Sequence, residues 1–369
     1  MNKDSLQIGA KHFHQAQFVH QTELIQQRNK AFFVQEVEGK VYLKSFEFKA
    51  DIFNIRTHLC LSDIFEPDTW ILPQDNFCLS PDNKLLAFYE LVDYCVYFID
   101  IASISIVQTY NIKAYAQLET FNMLWTYDSK HFLMQANSEG ENCGMLKLLD
   151  FDLVQGSLKL WQSDMLDQNL SENEIFRLNS FCICPISENL MIHTYENKIV
   201  YLKQPFDQQL ILSQQAHNLD IEYLYFTIKA FDDLLIAEVG DRWQNKSLYY
   251  EFRQISESLI NRFALNKLSE DKSYVADFTY SPDTKQIFFL RHLAELAKKE
   301  VFYVDSYGSE ESATLYQYLL QGCTLEGKIV FENSIFAPFY PILNFFGNHL
   351  VISANRGSTI IVYYLGPQN

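Results

Sequence analysis

Short apolar runs separated by polar turns recur along this chain, and groups of three or four such runs return about every fifty residues. The clearest group reads FCLS, PDNK, LLAFYE, LVDY, CVYFIDI, ASI and SIVQTY, from Phe77 to Tyr110. Another reads VADFTYS, PDTKQ, IFFLRHL, a longer turn and EVFYVDS, from Val275 to Ser306. Weaker groups span 121–152, 179–204 and 221–254, and the outermost two centre on 31–48 and 349–365. The second run of each group starts at Ala31, Leu85, His131, Leu190, Leu234, Ile287 and His349, at intervals of 54, 46, 59, 44, 53 and 62 residues.

A period of this length with about four short strands per unit is the pattern of a β-propeller. The reason is burial: one small twisted sheet cannot hide both its faces, so each blade shelters its neighbours around an axis. Composition agrees. Aromatic residues reach 15%, with 30 Phe, 22 Tyr and 4 Trp, and rings suit a pleated, packed surface. Helical periodicity is weak, and its best stretch, His292 to Glu300, is one or two turns within a loop. The expected fold is all-β: a single-domain, seven-bladed β-propeller over residues 1–369 with four-stranded antiparallel blades, six or eight blades being the neighbouring counts. The blades fall near 21–57, 77–111, 121–162, 179–214, 221–265, 275–320 and 336–365. The last group lacks a fourth strand, and the segment 12–20 has strand-like residues without a blade of its own. This N-terminal strand is expected to close the last blade as its outer strand, covering an exposed edge.

Asp93, Val96, Ile99 and Asp100 are spaced D-x-x-V-x-x-[apolar]-D, and Leu149-Asp150 and Val304-Asp305 are similar endings. Ser80-Pro81-Asp82 and Ser281-Pro282-Asp283 each precede a second strand, where proline sets φ and aspartate caps the turn. On these residues the chain resembles the WD-repeat family, whose third strand ends in Trp-Asp with an aspartate six residues before the Trp. Here Ile99 stands at the Trp position, and no Gly-His signature occurs. The resemblance implies a divergent WD-like propeller.

The chain carries 29 basic and 46 acidic side chains, a net charge of −17. No basic stripe is visible, which argues against a nucleic-acid partner and against attraction to an anionic membrane surface. Twelve glycines leave no Gly-rich phosphate cradle, and no Gly-x-Ser-x-Gly, His-Glu-x-x-His or P-loop pattern occurs. Seven cysteines, an odd number without a Cys-x-x-Cys pair, sit mostly in apolar runs and read as reduced, buried thiols. His12 and His14, with His20 in phase, and Cys182 with Cys184 share strand faces; further ligands for a metal cannot be named, and structural roles suffice. No catalytic residue, metal or cofactor is expected. With no signal-like segment and no apolar run of membrane length, a cytoplasmic location is expected, and the chain alone is expected to be a monomer.

The acids are distributed unevenly. In a propeller, the inter-blade loops share a face with the turns between second and third strands. These segments hold Asp63, Glu66, Asp68 and Asp75; Asp164, Asp167, Glu172 and Glu174; Asp220 and Glu222; and Glu270 and Asp271. Turns on that face add Asp93, Glu139, Glu141 and Asp241, while the opposite face mixes Lys84, Lys130, Lys229 and Lys285 with its acids. Trp70, Arg242 and Trp243 fall among the acidic loops, and Arg242 and Trp243 are residue types that dominate binding energies. The expected function is non-catalytic binding of a basic protein through the acidic face. One form is an immunity-type inhibitor of a toxin, because a nuclease toxin must be basic to meet phosphate. A propeller enzyme, a hydrolase or lyase with a small substrate in the channel, and a scaffold subunit of a larger assembly are the competing classes.

Overall fold

The computed structural model describes residues 10–14, 16–18, 20–21, 30–49, 52–65, 71, 76–90, 92–115, 118–126, 128–138, 146–163, 181–183, 190–195, 198–203, 212–218, 223–231, 234–241, 246–254, 259–264, 274–281, 284–292, 297–304, 310–339, 341–346, 349–354 and 359–365. They form seven sheets, numbered here in chain order. Sheet 1 holds Ala16–Phe18, Lys30–Val37, Lys40–Lys49 and Ile52–Cys60; sheet 2 holds Asn76–Leu79, Leu85–Glu90, Cys95–Asp100 and Ser105–Asn111. Sheet 3 holds Leu118–Trp125, His131–Ser138, Leu146–Asp152 and Ser157–Ser163. Sheet 4 holds Phe181–Ile183, Leu190–Tyr195, Lys198–Lys203 and Leu212–Asn218; sheet 5 holds Tyr223–Phe231, Leu234–Asp241, Lys246–Gln254 and Leu259–Ala264. Sheet 6 holds Tyr274–Ser281, Gln286–His292, Glu310–Thr324 and Ile329–Ala337, and sheet 7 holds Pro341–Phe346, His349–Ala354 and Thr359–Tyr364. The chain divides into two compact units. One comprises 1–19, 26–75 and 269–369, with sheets 1, 6 and 7; the other comprises 20–25 and 76–268, with sheets 2 to 5.

The burial of individual strands explains the apolar runs. Leu85–Glu90 and Gln286–His292 are buried along nearly their whole length rather than on alternate residues. A strand covered on both faces has no solvent side, so its sequence need not alternate. The outer strand Ser105–Asn111 is mostly exposed. Between sheets 2 and 3, Phe98, Trp125, Phe132 and Phe151 are all fully buried, with Phe98 5.4 Å from Phe132 and 5.6 Å from Trp125 in edge-to-face contact. The Trp125 indole donates to the Cys78 carbonyl at 3.1 Å, which gives the buried ring its polar partner. Between sheets 6 and 7, Phe288 stacks on Phe345 at 4.7 Å within a cluster that includes Leu320, Ile352 and Ile361.

The N-terminal segment does more than the sequence suggests. Ala10–His14 pairs antiparallel with Thr359–Tyr364, Ala10 opposite Tyr363 and His14 opposite Thr359, as the outer strand of sheet 7. The closing strand is therefore 10–14 rather than all of 12–20. Ala16–Phe18 instead pairs with Lys30–Val37 in sheet 1, and His20–Gln21 lies parallel to Cys78 and Leu79 at the edge of sheet 2. Phe13 packs against Phe46 at 4.9 Å and Phe33 at 6.0 Å, joining sheet 7 to sheet 1 through apolar contact.

Three strand readings are corrected. Lys298–Glu300 is extended, not helical, and belongs to the strand Lys298–Val304. That strand is not the third strand of its sheet; that place is taken by Glu310–Thr324, which pairs with Gln286–His292 on one side and Ile329–Ala337 on the other. In sheet 3 the counterpart of Asp100 is Asp152, because His131 opposes Asp152 as Leu85 opposes Asp100. Asp150, two residues earlier on the same strand face, meets His131 Nδ1 at 2.8 Å instead. Apolar-Asp pairs occur at both places, and spacing alone could not choose between them.

Candidate protein-docking loops

At the turns between first and second strands, acids are consumed by the fold. In Ser80–Leu85, Ser80 Oγ donates to Asp82 Oδ1 at 2.8 Å and accepts the Leu85 N–H at 2.8 Å. Asp82 Oδ1 also accepts the Lys84 N–H at 3.1 Å, and Lys84 Nζ lies 3.2 Å from Asp82 Oδ2. The turn Thr126–His131 repeats this clasp. Thr126 Oγ1 donates to Asp128 Oδ1 at 2.7 Å, Lys130 N–H donates to Asp128, and Lys130 Nζ lies 3.2 Å from its other oxygen. Asn83 and Ser129, at matching positions, both have φ 57, the left-handed turn that asparagine and serine tolerate here. The two clasps touch, since Asp82 N–H donates to Ser129 Oγ at 3.2 Å. These hydrogen bonds hold the Asp82 and Asp128 carboxyls below the usual carboxylate range against the opposing effect of burial. In the Ser281 turn the left-handed residue is Lys285, one position later, and Thr284 N–H reaches Ser281 Oγ only at 3.4 Å. At the turns between third and fourth strands, Asp100 accepts the Ser103 N–H and Oγ, and Asp152 accepts the Val154 and Gln155 N–H groups.

The opposite strand ends differ. In sheet 1 the turn Glu38-Gly39 is exposed, and Glu38 has no ion pair among the described residues. In sheet 2 the turn holds Asp93, exposed and without an ion pair among the described residues, beside Val92, which is 78% exposed. Beneath them the buried Glu90 carboxylate accepts the Val92 and Asp93 N–H groups, both at 2.7 Å, and so fixes the loop. Sequence reading passed over Glu90, because a carboxylate closing an apolar run carries no motif.

Of the candidate contact residues, Asp63 ends the short turn Leu61–Asp63 and faces solvent, but Lys40 Nζ already meets its Oδ1 at 2.8 Å. That hydrogen bond holds the Asp63 carboxyl below its ordinary value. Asp241 ends the strand Leu234–Asp241, opposite Tyr223 and Lys246. Glu66, Asp68, Trp70, Glu139, Glu141, Asp164, Asp167, Glu172, Glu174, Arg242 and Trp243 lie outside the described residues. Among the described residues no three His, Cys, Asp or Glu side chains converge as a metal site, and no helix is long and apolar enough to cross a membrane. Cys60, Cys78, Cys95 and Cys323 are free thiols, and burial pushes the Cys78 thiol well above its usual range.

Sheet 6 carries a feature the sequence reading missed. Past Tyr316, the hairpin of Lys298–Val304 and residues 310–315 runs beyond the sheet. Phe302 on it is 73% exposed, and Phe339 at its root is 43% exposed, 5.2 Å from Tyr316.

No model of a known family matches this sequence, and no curated protein resembles it in sequence. Solved structures do resemble it in fold. The β-propeller domain of Cps50 (Swd1) from Myceliophteria thermophila aligns with a TM-score of 0.58 at 8% identity, over 96% of this chain and 98% of that one. The Dos1 propeller aligns with a TM-score of 0.51 at 11% identity, over 98% and 96%. Raptor of Chaetomium thermophilum aligns with a TM-score of 0.52 at 8% identity, over 96% of this chain and 29% of that one. Repeated four-stranded sheets and this likeness together give the chain a β-propeller fold.

Proposed function

We propose that this chain is a non-catalytic, protein-binding β-propeller of seven blades forming one domain, and that the loops between second and third strands and between blades dock a basic protein. The carrying observation is the contrast between strand ends. Asp82 and Asp128 are used up in closing turns and are neutralised by Lys84 and Lys130, whereas Glu38 and Asp93 face solvent as uncompensated charge among the described residues. A net charge of −17 supports the same reading, since opposite charge steers encounter and fixes orientation. The contact surface in this reading is Glu66, Asp68, Trp70, Glu139, Glu141, Asp164, Asp167, Glu172, Glu174, Asp241, Arg242 and Trp243, with Asp63 a weak contributor because Lys40 screens it. In the form we favour, the partner is a basic toxin and this chain is its immunity-type inhibitor.

The test is affinity capture with the full chain, followed by charge reversal at Asp164, Asp167, Glu172 and Glu174. The expected partner has a high isoelectric point, binds less tightly as salt rises, and associates at least about tenfold more slowly with the reversed variant. An association rate untouched by the reversal, in a variant with an unchanged melt, would reject this surface.

A further inference from the structure

The hairpin of sheet 6 has an open edge. Glu310–Thr324 is paired on both sides only from Tyr316 onward, where Lys298 and Ala337 both meet Tyr316. Among the described residues, 310–315 pair with Lys299–Val304 and with no other strand, and Lys298–Val304 has one partner strand. A two-stranded ribbon leaving its sheet is marginal in water. Natural sheets blunt such edges with bulges, charge or proline. The outer pairs of sheets 1, 2, 4, 5 and 6 each carry a register shift, whereas Lys298–Val304 pairs with Tyr316–Glu310 in unbroken register. Its far half, Val301-Phe302-Tyr303-Val304, has no charge and no proline, and its residue types favour strands.

We propose that this edge pairs with the same edge of a second copy, giving a twofold dimer with a continuous four-stranded ribbon. The charge pattern selects this occupant. An antiparallel twofold centred on Val301 sets Lys298 opposite Val304 of the second copy, whose far neighbour in the same row is Glu310. It likewise sets Lys299 opposite Tyr303, whose far neighbour is Glu311. Each row thus ends in a lysine on one copy and a glutamate on the other, across one intervening strand, and the symmetry makes the match twice. The span is about 10 Å between outer strands, which a lysine stem crosses over the intervening residue. Lys298, Lys299, Glu310 and Glu311 are all exposed and have no ion pair among the described residues; in the single chain Lys298 Nζ lies 5.5 Å from the Tyr316 ring and Lys299 Nζ 5.8 Å from the Phe336 ring, contacts that pairing would exchange for the glutamates. Phe302 falls opposite Glu300 and diagonal to its own symmetry mate, within reach of an aromatic contact at about 7–8 Å. Its 73% exposure in the single chain is relieved there. This revises the monomer expected from sequence, and it is independent of the loops proposed for the basic partner.

The experiment uses the full chain in sedimentation velocity over a wide concentration range, with cross-linking. Directly opposed residues on antiparallel strands bring Cα atoms to about 4.5–5.5 Å, within disulfide reach. Val301→Cys, the residue on the twofold axis, should give a disulfide-linked dimer under mild oxidation well above the wild type. Phe302→Cys, opposite residue 300, should give far less. Lys298→Glu with Lys299→Glu should weaken the dimer about tenfold or more, and adding Glu310→Lys with Glu311→Lys should restore it. These four side chains are exposed, so the swap reads out even if Val301→Cys folds poorly. A monomer at every concentration, a dimer indifferent to the lysine reversal, or open-ended oligomers without Val301→Cys cross-linking would each overturn the proposal.

Discussion

Removing one hydroxyl tests whether the Asp-clasped turns are structural units. Ser80→Ala deletes an oxygen that is 1% exposed as a residue, accepts the Leu85 N–H at 2.8 Å and donates to the Asp82 carboxylate at 2.8 Å. A neutral hydrogen bond contributes about 1 kcal/mol and one to a charged group about 1.5–3 kcal/mol, and the orphaned Leu85 N–H adds to the loss. Asp82 keeps the Lys84 N–H and Nζ, which moderates it. The expected cost is therefore about 2–3 kcal/mol, a shift of about 30- to 160-fold in the unfolding equilibrium. Ser281→Ala is the internal control: its one described contact, from Thr284 N–H, is 3.4 Å long, so about 0.5–1 kcal/mol is expected. Urea unfolding followed by tyrosine and tryptophan fluorescence reads the difference as a shift in midpoint at constant slope. Equal losses at the two serines, or a loss at Ser80 below about 0.5 kcal/mol, would refute the claim that the clasp geometry sets the energy.

Four further outcomes are expected. Gly322→Ala would bring a Cβ to 3.1 Å from both Phe288 Cε1 and Phe331 Cβ, so it should cost about 1–3 kcal/mol by overpacking; a neutral effect would mean that those rings give way. Phe13→Ala should cost about 2 kcal/mol, read as a lower melting temperature, because it removes the ring that seats on Phe33 and Phe46; an unchanged melt would reject the closure by residues 10–14. Burial, reinforced by the Lys30 and Arg56 charges, pushes His58 down to about 4, so the unfolded chain, titrating near 6.5, binds the extra proton between those values and stability falls as pH drops through that window. His58→Gln should flatten that dependence between pH 7 and 5. His131, raised by its hydrogen bond to Asp150, works in the other direction: its contribution is full below about 6.5 and is lost as pH rises through the folded value.

Sequence alone settled the strand repeat. The second strands start at Lys30, Leu85, His131, Leu190, Leu234, Gln286 and His349, within one residue of the positions read from the apolar runs. This is legible because a strand buried on both faces must be apolar along its length, and the turn before it must be polar. The Ser80-Pro81-Asp82 turn was legible for a similar reason, since its clasp is local chemistry within six residues, whereas Pro282 and Asp283 of the second such turn lie outside the described residues. What a residue does across the fold was not legible. Asp150 and Asp152 look interchangeable in sequence, and only register decides which closes a turn and which meets His131. Residues 12–20 read as one strand, yet the strands at 10–14, 16–18 and 20–21 serve three sheets, because partners up to 353 positions away, such as Tyr363 for Ala10, choose the break points. The far half of Lys298–Val304, Val301 to Val304, has the composition of an inner strand but runs past its sheet, since nothing local records where a neighbouring strand stops. Composition and turn chemistry act over a few bonds, while pairing and exposure depend on which distant segment arrives alongside, and that is decided only when the sheets assemble.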